Sequence, residues 1–469
     1  MLMSIAFSAH AEGAAGADEG KLSPSWINAN VPNGFTMTAV GDLIISDAIY
    51  LRMKRESPEL IKLLQNADVT FGNFEGSAID LRKFGGYPEA LAGGSWLISS
   101  PAVPADLKAM GFNLLGRANN HTTDWGVKGM RYTDALLDQA GLVHAGTGET
   151  LAQARAPQFL SVSAGRISLT SLASRFELNA RAIDPLGQIP GRPGANALRT
   201  TRYVLVSPER LAALAQIRDA QPPGSVRSSL IASDRKTGTV TLYDTKYRAS
   251  EKVGNGLDVS YSMDERDRKE IVRNIRQGKQ TSDFAIASLH AHEPGNYSEA
   301  PPDFMPLLAR EAIDNGADAF IGHGPHQLRG IEIYKGKPIF YSLGNFFFME
   351  NTQQPVTRDE YEKDKADPAA MTEAEFQEQR RVHGVFKDRV WYESVVAVSR
   401  YDEHGKVREI RLYPVELNWA GKRDADRGIP RMAPADSAQR ILEQVQKLSQ
   451  VYGTRIEIQG GVGLIKLTP

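Results

Sequence analysis

Residues of the types that bind metal ions recur along the chain, directly after apolar, strand-like segments. They are carboxylates, a carboxamide and imidazoles, and four of the nine histidines fall within residues 290–326. Oxygen and imidazole ligands suit a hard or borderline divalent ion such as Mn, Zn, Fe or Mg, and a mixed ligand set is typical of a catalytic site. The candidates are Asp42, Glu75, Asn120, His121, His290, His292, His323 and His326.

The segments that precede these residues predict the strands that position them. Residues 35–40, 67–72, 112–116, 283–289 and 317–321 are short and rich in apolar or β-branched side chains. Helical patterns separate several of these segments, which favours an α/β fold. In open α/β sheets the carboxyl ends of the strands converge on one edge, where ligands bind. We therefore expect residues that are far apart in sequence to share one site.

Each candidate also has an ordinary structural explanation when it is considered alone. Asp42 could cap a turn, Glu75 could pair with a surface arginine, and His292 could be an exposed loop residue. Independent caps would not all fall at strand ends, so the group as a whole favours a metal site. The sequence contains no nucleophile elbow, phosphate-binding P-loop or dinucleotide fingerprint. A hydrolytic metal site is therefore the chemistry that the sequence supports best.

Composition limits the class of protein further. The 469 residues are 41% apolar, carry a net charge of −1 and include no cysteine. This excludes disulfide scaffolds and thiolate chemistry, and the charge balance does not favour a nucleic-acid partner. The sequence contains no run of about 18 apolar residues, so it predicts no integral membrane span. The apolar stretch 2–8 followed by Ala9-His10-Ala11 indicates that residues 1–25 are a signal-peptide remnant or a flexible leader.

The rest of the chain divides into segments of different character. Weak signals over residues 174–255 predict an irregular insertion, and the charge-dense residues 349–390 predict a solvated insertion or lid. Residues 391–420 are expected to form a hairpin that completes the main domain. Residues 421–469 are expected to form a C-terminal extension of one helix and short strands.

Six short motifs follow one another along the chain. They are Gly41-Asp42, Asn73-Phe74-Glu75, Asn119-Asn120-His121 with Asp124 and Gly126, His290, Gly322-His323-Gly324-Pro325-His326 and Tyr341-Ser342-Leu343-Gly344-Asn345-Phe346. Their order resembles the CapA family of capsule or poly-γ-glutamate synthesis proteins, which belong to the calcineurin-like metallophosphoesterase superfamily. The resemblance implies a CapA-like metallophosphatase domain over residues 35–348 and a four-layer α/β/β/α sandwich with insertions.

The resemblance also implies a role for each matching residue. His121 would be the general acid or transition-state stabiliser, oriented by Asp124. Ile44 and Gly324 depart from the superfamily pattern, since histidines usually occupy both positions, and Ile44 leaves one metal position without an imidazole. One or two divalent ions would be held by Asp42, Glu75, Asn120, His290, His323 and His326. Weaker candidates for substrate binding are His292, Glu293 and Asn345.

The function expected from these observations is that of a metal-dependent hydrolase-fold protein in capsule or poly-γ-glutamate biosynthesis or export. Its partners would be an anionic polymer, or a small phosphoester or γ-glutamyl substrate, and capsule synthesis or export proteins. Its expected location is the periplasm or cell envelope. Two alternatives stay open. One is a non-catalytic accessory protein that binds anionic polymer or an export partner, and the other is a cytoplasmic phosphoesterase.

Overall fold

The computed structural model describes residues 28–89, 95–222 and 225–467, so the predicted signal-peptide remnant or leader lies outside the described residues. Within these ranges the structure contains 24 strands and 12 α-helices. The strands are β1 (Thr36–Ile44), β2 (Val69–Phe74), β3 (Ser77–Ala78), β4 (Ile98–Ser99), β5 (Leu114–Gly116), β6 (Val143–Ala145), β7 (Thr147–Gly148), β8 (Gln158–Val162), β9 (Gly165–Ala173), β10 (Gly194–Ala195), β11 (Thr200–Val206), β12 (Thr239–Leu242), β13 (Thr245–Ala249), β14 (Asp258–Met263), β15 (Phe284–His290), β16 (Ala319–His323), β17 (Ile331–Tyr334), β18 (Lys337–Phe340), β19 (Asn345–Phe348), β20 (Glu393–Tyr401), β21 (Val407–Glu416), β22 (Arg431–Met432), β23 (Glu457–Gln459) and β24 (Val462–Lys466). The helices are α1 (Tyr50–Glu56), α2 (Pro58–Gln65), α3 (Val103–Met110), α4 (Gly126–Gln139), α5 (Leu151–Arg155), α6 (Pro208–Asp219), α7 (Ser225–Thr237), α8 (Glu265–Gln280), α9 (Phe304–Asp314), α10 (Arg358–Lys363), α11 (Glu373–His383) and α12 (Ala435–Gln450).

Two large sheets form the centre of the molecule. The first has ten strands, in the order β23-β24-β21-β20-β1-β2-β5-β6, with β19 also paired to β1 and β22 to β21. The second has six strands, in the order β17-β18-β16-β15-β9-β8. Strands β1, β2, β5 and β6 run parallel to one another, and so do β9, β15, β16 and β18. Each sheet therefore presents several strand carboxyl ends at one edge.

Helices cover the outer faces of the two sheets. The inner faces pack on each other through side chains such as Phe71 of the first sheet and Ile286 of the second. Leu60 of α2 and Leu107 of α3 pack on the outside of the first sheet, and α8 and α9 cover the second. Because both faces of the central strands are buried, their sequences are almost continuously apolar. The predicted four-layer α/β/β/α sandwich is confirmed.

The C-terminal part of the chain extends the first sheet. The hairpin β20–β21 pairs with β1 in antiparallel orientation, with Thr36 opposite Arg400, and β24 pairs with β21. Helix α12 places Ile441 and Val445 in the core between the two sheets. This extension closes the end of the sandwich that is distant from β6.

The segment 174–255 is more regular than its sequence predicts. It contributes β11, β12 and β13 to a separate four-stranded sheet of order β12-β13-β11-β14, together with helices α6 and α7. Strands β11, β13 and β14 are mostly half-buried. A strand that is partly exposed needs no continuous apolar run, which explains why the sequence signal is weak here.

The segment 349–390 contains two short helices, and each begins with a reciprocal capping box. Thr357 and Glu360 form the box of α10, and Thr372 and Glu375 form that of α11. The buried rings of Tyr361 and Phe376 stack between these helices, with their centroids 4.2 Å apart. The segment therefore has a small apolar core of its own and is not simply a solvated charged surface.

Candidate functional site

The site lies where strand ends of the two sheets meet. Asp42 is near the end of β1, and Glu75 directly follows β2. His290 and His323 are the last residues of β15 and β16 and are direct neighbours in the strand register. The sheet topology thus brings together residues separated by up to 284 positions, counted from Asp42 to His326.

Two overlapping groups of side chains in the described part of the chain have the spacing of metal ligands. One consists of Asp42, Glu75 and His326, and the other of Glu75, His290 and His292. In each group the ligand atoms lie within 4.8 Å of one another. Glu75 belongs to both groups, with its Oε1 atom 3.6 Å from His290 Nε2 and 3.8 Å from His326 Nε2. This arrangement suits a carboxylate that bridges two ions.

Several buried polar atoms at this position have no hydrogen-bond partner among the described residues. They are both carboxylate oxygens of Glu75 and both ring nitrogens of His323. Asp42 and Glu75 are 0% and 1% exposed. Buried charges and unsatisfied acceptors are unfavourable unless a ligand or counter-ion meets them. The donor set therefore fits a divalent cation, because oxygen and imidazole ligands face a common point.

The electrostatics of the group are those of a site built for a cation. Burial raises the pKa of Glu75 well above its usual value, and the nearby charge of Asp42 raises it further. Burial acts on Asp42 in the same direction, but the neighbouring imidazoles of His323 and His326 outweigh it and hold the pKa of Asp42 low. Burial also lowers the pKa of His290, which favours the neutral imidazole that can coordinate a metal.

His121 and Asp124 form a buried pair next to this group. His121 Nδ1 lies 2.7 Å from Asp124 Oδ2, and His121 Nε2 lies 3.7 Å from Glu75 Oε1. Burial raises the pKa of Asp124 to about 6. For His121 burial acts to lower the pKa, but the adjacent Asp124 outweighs it and the pKa is raised. The imidazole is thus oriented with one nitrogen on Asp124 and the other towards the candidate ligands.

Sequence reasoning missed three residues that hold the ligands in place. The Asn73 amide donates to Asp42 Oδ1 at 2.8 Å and lies 3.1 Å from His290 Nδ1. Asn119 accepts a hydrogen bond from the backbone of His121. Arg117 is fully buried and donates to the carbonyl oxygens on both sides of Glu75. The sequence feature that could have identified these three residues is their position within or beside the motifs given above.

The three residues proposed from sequence as weak substrate binders fall in different places. His292 Nε2 lies 2.9 Å from His290 Nε2 and 3.1 Å from Asn120 Oδ1, so it belongs with the candidate ligands. Asn345 is 0% exposed, lies 2.9 Å from His326 Nδ1 and is therefore placed to orient that ring. Glu293 lines a cavity, where it accepts a hydrogen bond from Ser174, and its role in substrate binding stays a prediction.

A cavity of about 960 Å³ opens beside these residues. Its walls include His121, Asn120, His292 and His326, and also Ile44 in place of the missing imidazole. The remaining lining comes partly from the two segments that were predicted to be insertions. It includes Arg175, Arg202, Glu350 and Phe386, none of which was a sequence candidate.

A four-layer α/β/β/α sandwich with carboxylates and imidazoles at its strand ends defines an α/β protein with a candidate metal site. The chain belongs to the family of bacterial capsule synthesis proteins designated PGA_cap, which matches residues 36–350. The resemblance to CapA proteins is thereby confirmed.

Individual proteins show the same relationship. The chain is 49% identical to the uncharacterized protein y4uA of Sinorhizobium fredii, over 93% of this chain and 94% of that protein. It is 26% identical to the capsule biosynthesis protein CapA of Bacillus anthracis, over 67% of this chain and 59% of that protein. A solved phosphatase from Mycoplasma pneumoniae shares 11% identity and a TM-score of 0.35, over 82% of this chain and 94% of that one, which is too distant to support a conclusion.

Among the described residues, no helix combines the length and the apolarity that crossing a membrane requires.

Proposed function

We propose that this protein is a metal-dependent hydrolase that acts in capsule or poly-γ-glutamate biosynthesis or export. The observation that carries the proposal is the set of buried Glu75 and His323 atoms that have no hydrogen-bond partner among the described residues. They face the same cluster as Asp42 and lie beside the His121–Asp124 pair. A buried cluster that is unsatisfied in this way is typical of a functional site.

The ligand set that we propose adds His292 to the six ligands that the family resemblance implies. A divalent ion of Mn, Zn, Fe or Mg in this site supplies Lewis acidity and makes water a better nucleophile at neutral pH. One or two such ions would be held by Asp42, Glu75, Asn120, His290, His292, His323 and His326.

His121 is the proposed general acid. Its Nδ1 atom is held by Asp124, so Nε2 is the atom that can give a proton to a leaving group in the cavity. The pKa of His121 is raised by the adjacent Asp124 although burial acts to lower it, which favours the protonated imidazole that a general acid requires. Asp124 then stabilises the orientation and the charge of the ring.

The cavity walls suit an anionic polymer, or a small phosphoester or γ-glutamyl substrate. Arg175 and Arg202 are exposed and line the cavity from the side of the segment 174–255. Guanidinium groups recognise carboxylates and phosphates through paired hydrogen bonds. The proposed partners are capsule synthesis or export proteins, and the proposed location is the periplasm or cell envelope, where such a polymer is assembled.

Metal content together with turnover tests the proposal. We expect elemental analysis of metal-loaded protein to give about one to two divalent ions per chain. We expect Asp42→Ala and His326→Ala each to reduce that number. We expect the loaded protein to hydrolyse generic phosphodiester or γ-glutamyl substrates. Protein that binds no divalent ion under these conditions would contradict the proposal.

One observation favours a second candidate, a non-catalytic accessory protein. Ile44 lines the cavity at the position where a superfamily member would have an imidazole, so part of a dinuclear site is apolar. A protein of this kind would bind anionic polymer tightly and retain metal, but would show no turnover on either substrate class. The turnover assay above therefore separates the two functions.

A further inference from the structure

The loop between β15 and α9 carries His292, one of the candidate ligands. The Nε2 atom of His292 faces His290 Nε2 at 2.9 Å and Asn120 Oδ1 at 3.1 Å. Its Nδ1 atom lies 2.8 Å from Asn296 Oδ1 in the same loop. A carboxamide oxygen can only accept, so Nδ1 carries the proton and Nε2 keeps the lone pair that a metal ion needs. The position of Asn296 therefore sets both the direction and the tautomer of the His292 ring.

The rest of this loop, residues 293–298, is held by a side chain from another segment. Among the described residues, no hydrogen bond between main chains ties these six residues to a different part of the protein. The carbonyl oxygens of Glu293 and Ser298 accept instead from the guanidinium group of Arg329, at 3.0 Å from Nη2 and 3.2 Å from Nε. One side chain therefore holds both ends of the loop.

Arg329 reaches the loop from a firmly held main chain. It follows the candidate ligand His326 by three positions, and its amide donates to the Ser342 carbonyl at 3.1 Å. Gln327, in the same segment, donates from its side chain to the carbonyl oxygen of Asn296. The segment that follows one candidate ligand thus fixes the loop that carries another.

The burial of Arg329 is unfavourable in itself. The residue is 0% exposed, and it forms no ion pair with a carboxylate of the described residues. Its Nη1 atom has no hydrogen-bond partner there, and burial lowers its pKa to about 10. An apolar side chain of similar volume would avoid the cost of burying this charge. What arginine supplies in return is a planar, rigid set of donors that can bridge two carbonyl oxygens.

We propose that Arg329 is a positioning residue of the metal site, which holds the loop 293–298 against the segment after His326 and thereby keeps the His292 ring among the candidate ligands. The inference rests on the proposed metal-dependent function and adds to it a residue that does not line the cavity. Groups that orient a metal-ligating histidine typically contribute about 10- to 100-fold to metal affinity. Arg329 acts one step further out, through the loop.

A titration of the full chain with Co²⁺, followed by visible absorption, tests this assignment without turnover. Arg329→Met has a similar length and removes the donors. We expect it to bind Co²⁺ about 10-fold more weakly and with a changed spectrum, because one imidazole is displaced. Arg329→Lys keeps the charge but has one ammonium group in place of Nε and Nη2, so it should show the same loss. The control Arg310→Met removes an arginine that pairs with Glu332 and should bind Co²⁺ as the wild type does.

The variant His292→Ala shows whether the effect passes through that ring. When His292 is already replaced, Arg329→Met should weaken Co²⁺ binding no further, because the ring that it positions is gone. An equal loss of affinity with and without His292 would mean that Arg329 acts on another part of the site, and it would overturn the assignment.

Two further results are decisive. Co²⁺ affinity and spectrum that are unchanged in the Arg329 variants would overturn the assignment and leave the proposed function intact. If urea unfolding then shows a loss of stability, Arg329 supports only the fold. If Arg329→Met does not fold, Arg329→Lys decides, since it retains the buried charge. A wild-type protein that binds no Co²⁺ or other divalent ion would contradict the proposed function, and this assignment with it.

Discussion

Two buried clusters of charged residues lie at opposite ends of the second sheet. They differ in whether their polar atoms have hydrogen-bond or ion-pair partners within the described residues. At the amino ends of β15, β16 and β18, Asp318 accepts hydrogen bonds from Lys337 at 2.6 Å, from Lys279 at 2.9 Å and from the Ala285 amide at 2.9 Å. At the carboxyl ends, Glu75 and His323 have no such partners in the described residues.

The difference shows which cluster supports the fold and which is built for a ligand. Asp318 is 0% exposed, but each of its oxygens meets an ammonium group, so the cost of burial is offset within the protein. Glu75 lies instead near a second carboxylate, that of Asp42, and the pKa of Glu75 rises for that reason as well as through burial. The carboxyl-end cluster therefore fits a cation that comes from outside the chain.

The amino-end cluster should give the largest loss of stability. Asp318→Ala leaves Lys279 and Lys337 buried without their shared counter-charge, and we expect the free energy of unfolding to fall by about 3–5 kcal/mol. Urea unfolding measures this change. The matched control is Asp314→Ala, which removes an exposed ion pair with Lys335 and should cost no more than about 1 kcal/mol. Equal losses in both variants would contradict the distinction between the clusters.

The pH dependence of stability should show the strain at the carboxyl ends. The pKa of Asp124 rises from 3.8 to about 6 on folding, so the folded state binds this proton more tightly. The contribution of this proton to the free energy of unfolding is complete below pH 3.8 and is lost as the pH rises through about 6. It amounts to no more than about 3 kcal/mol. Urea unfolding of metal-free protein at several pH values should therefore show the wild type losing stability relative to Asp124→Asn as the pH rises through this window, because Asn stays uncharged at every pH. If the difference in stability between wild type and Asp124→Asn does not change with pH, burial does not raise the pKa of Asp124.

Within the carboxyl-end site, the neighbours Asn120 and His121 should contribute to different properties. Substitution of Asn120 should mainly reduce metal binding, and substitution of His121 should mainly reduce acid catalysis. His121→Ala should retain metal and lower turnover by roughly 10²-fold or more, since it removes the proton donor. Asn120→Ala should lose metal first, because its side-chain oxygen lies 3.1 Å from His292 Nε2, among the ligands. Elemental analysis and initial rates measure the two effects. Equal metal loss in both variants would make His121 a ligand or a structural residue.

Glu75→Gln should change the free energy of unfolding least. It should raise this free energy, whereas Asp318→Ala should lower it. It removes a carboxylate that is buried near Asp42, and the metal-free protein should become more stable by roughly 1 kcal/mol. Its metal content should fall. Unfolding of the metal-free variant, with Glu403→Gln as the exposed control, measures the first effect. A destabilised metal-free Glu75→Gln would mean that Glu75 supports the fold after all.

Most of the fold and the centre of the site could be predicted from sequence. The buried strands are nearly continuous apolar runs, and Asp42, Glu75, His290 and His323 stand at or beside their carboxyl ends. These residues come close together in space because the carboxyl ends of parallel strands lie at the same edge of a sheet. The sheet within 174–255 could not be predicted, since its half-exposed strands show no strong alternation.

The sequence by itself determined which residue types stand at the ends of the central strands, and hence that oxygen and imidazole ligands meet there. Only the tertiary structure decided that His292 lies among the candidate ligands, that Asn345 contacts His326 and that Glu350 lines the cavity. The physical reason is that strand ends follow from local hydrophobic patterns, whereas the direction of a loop side chain depends on packing against distant residues. For Glu350 that packing is the contact between β19 and β1, about 300 residues away in sequence.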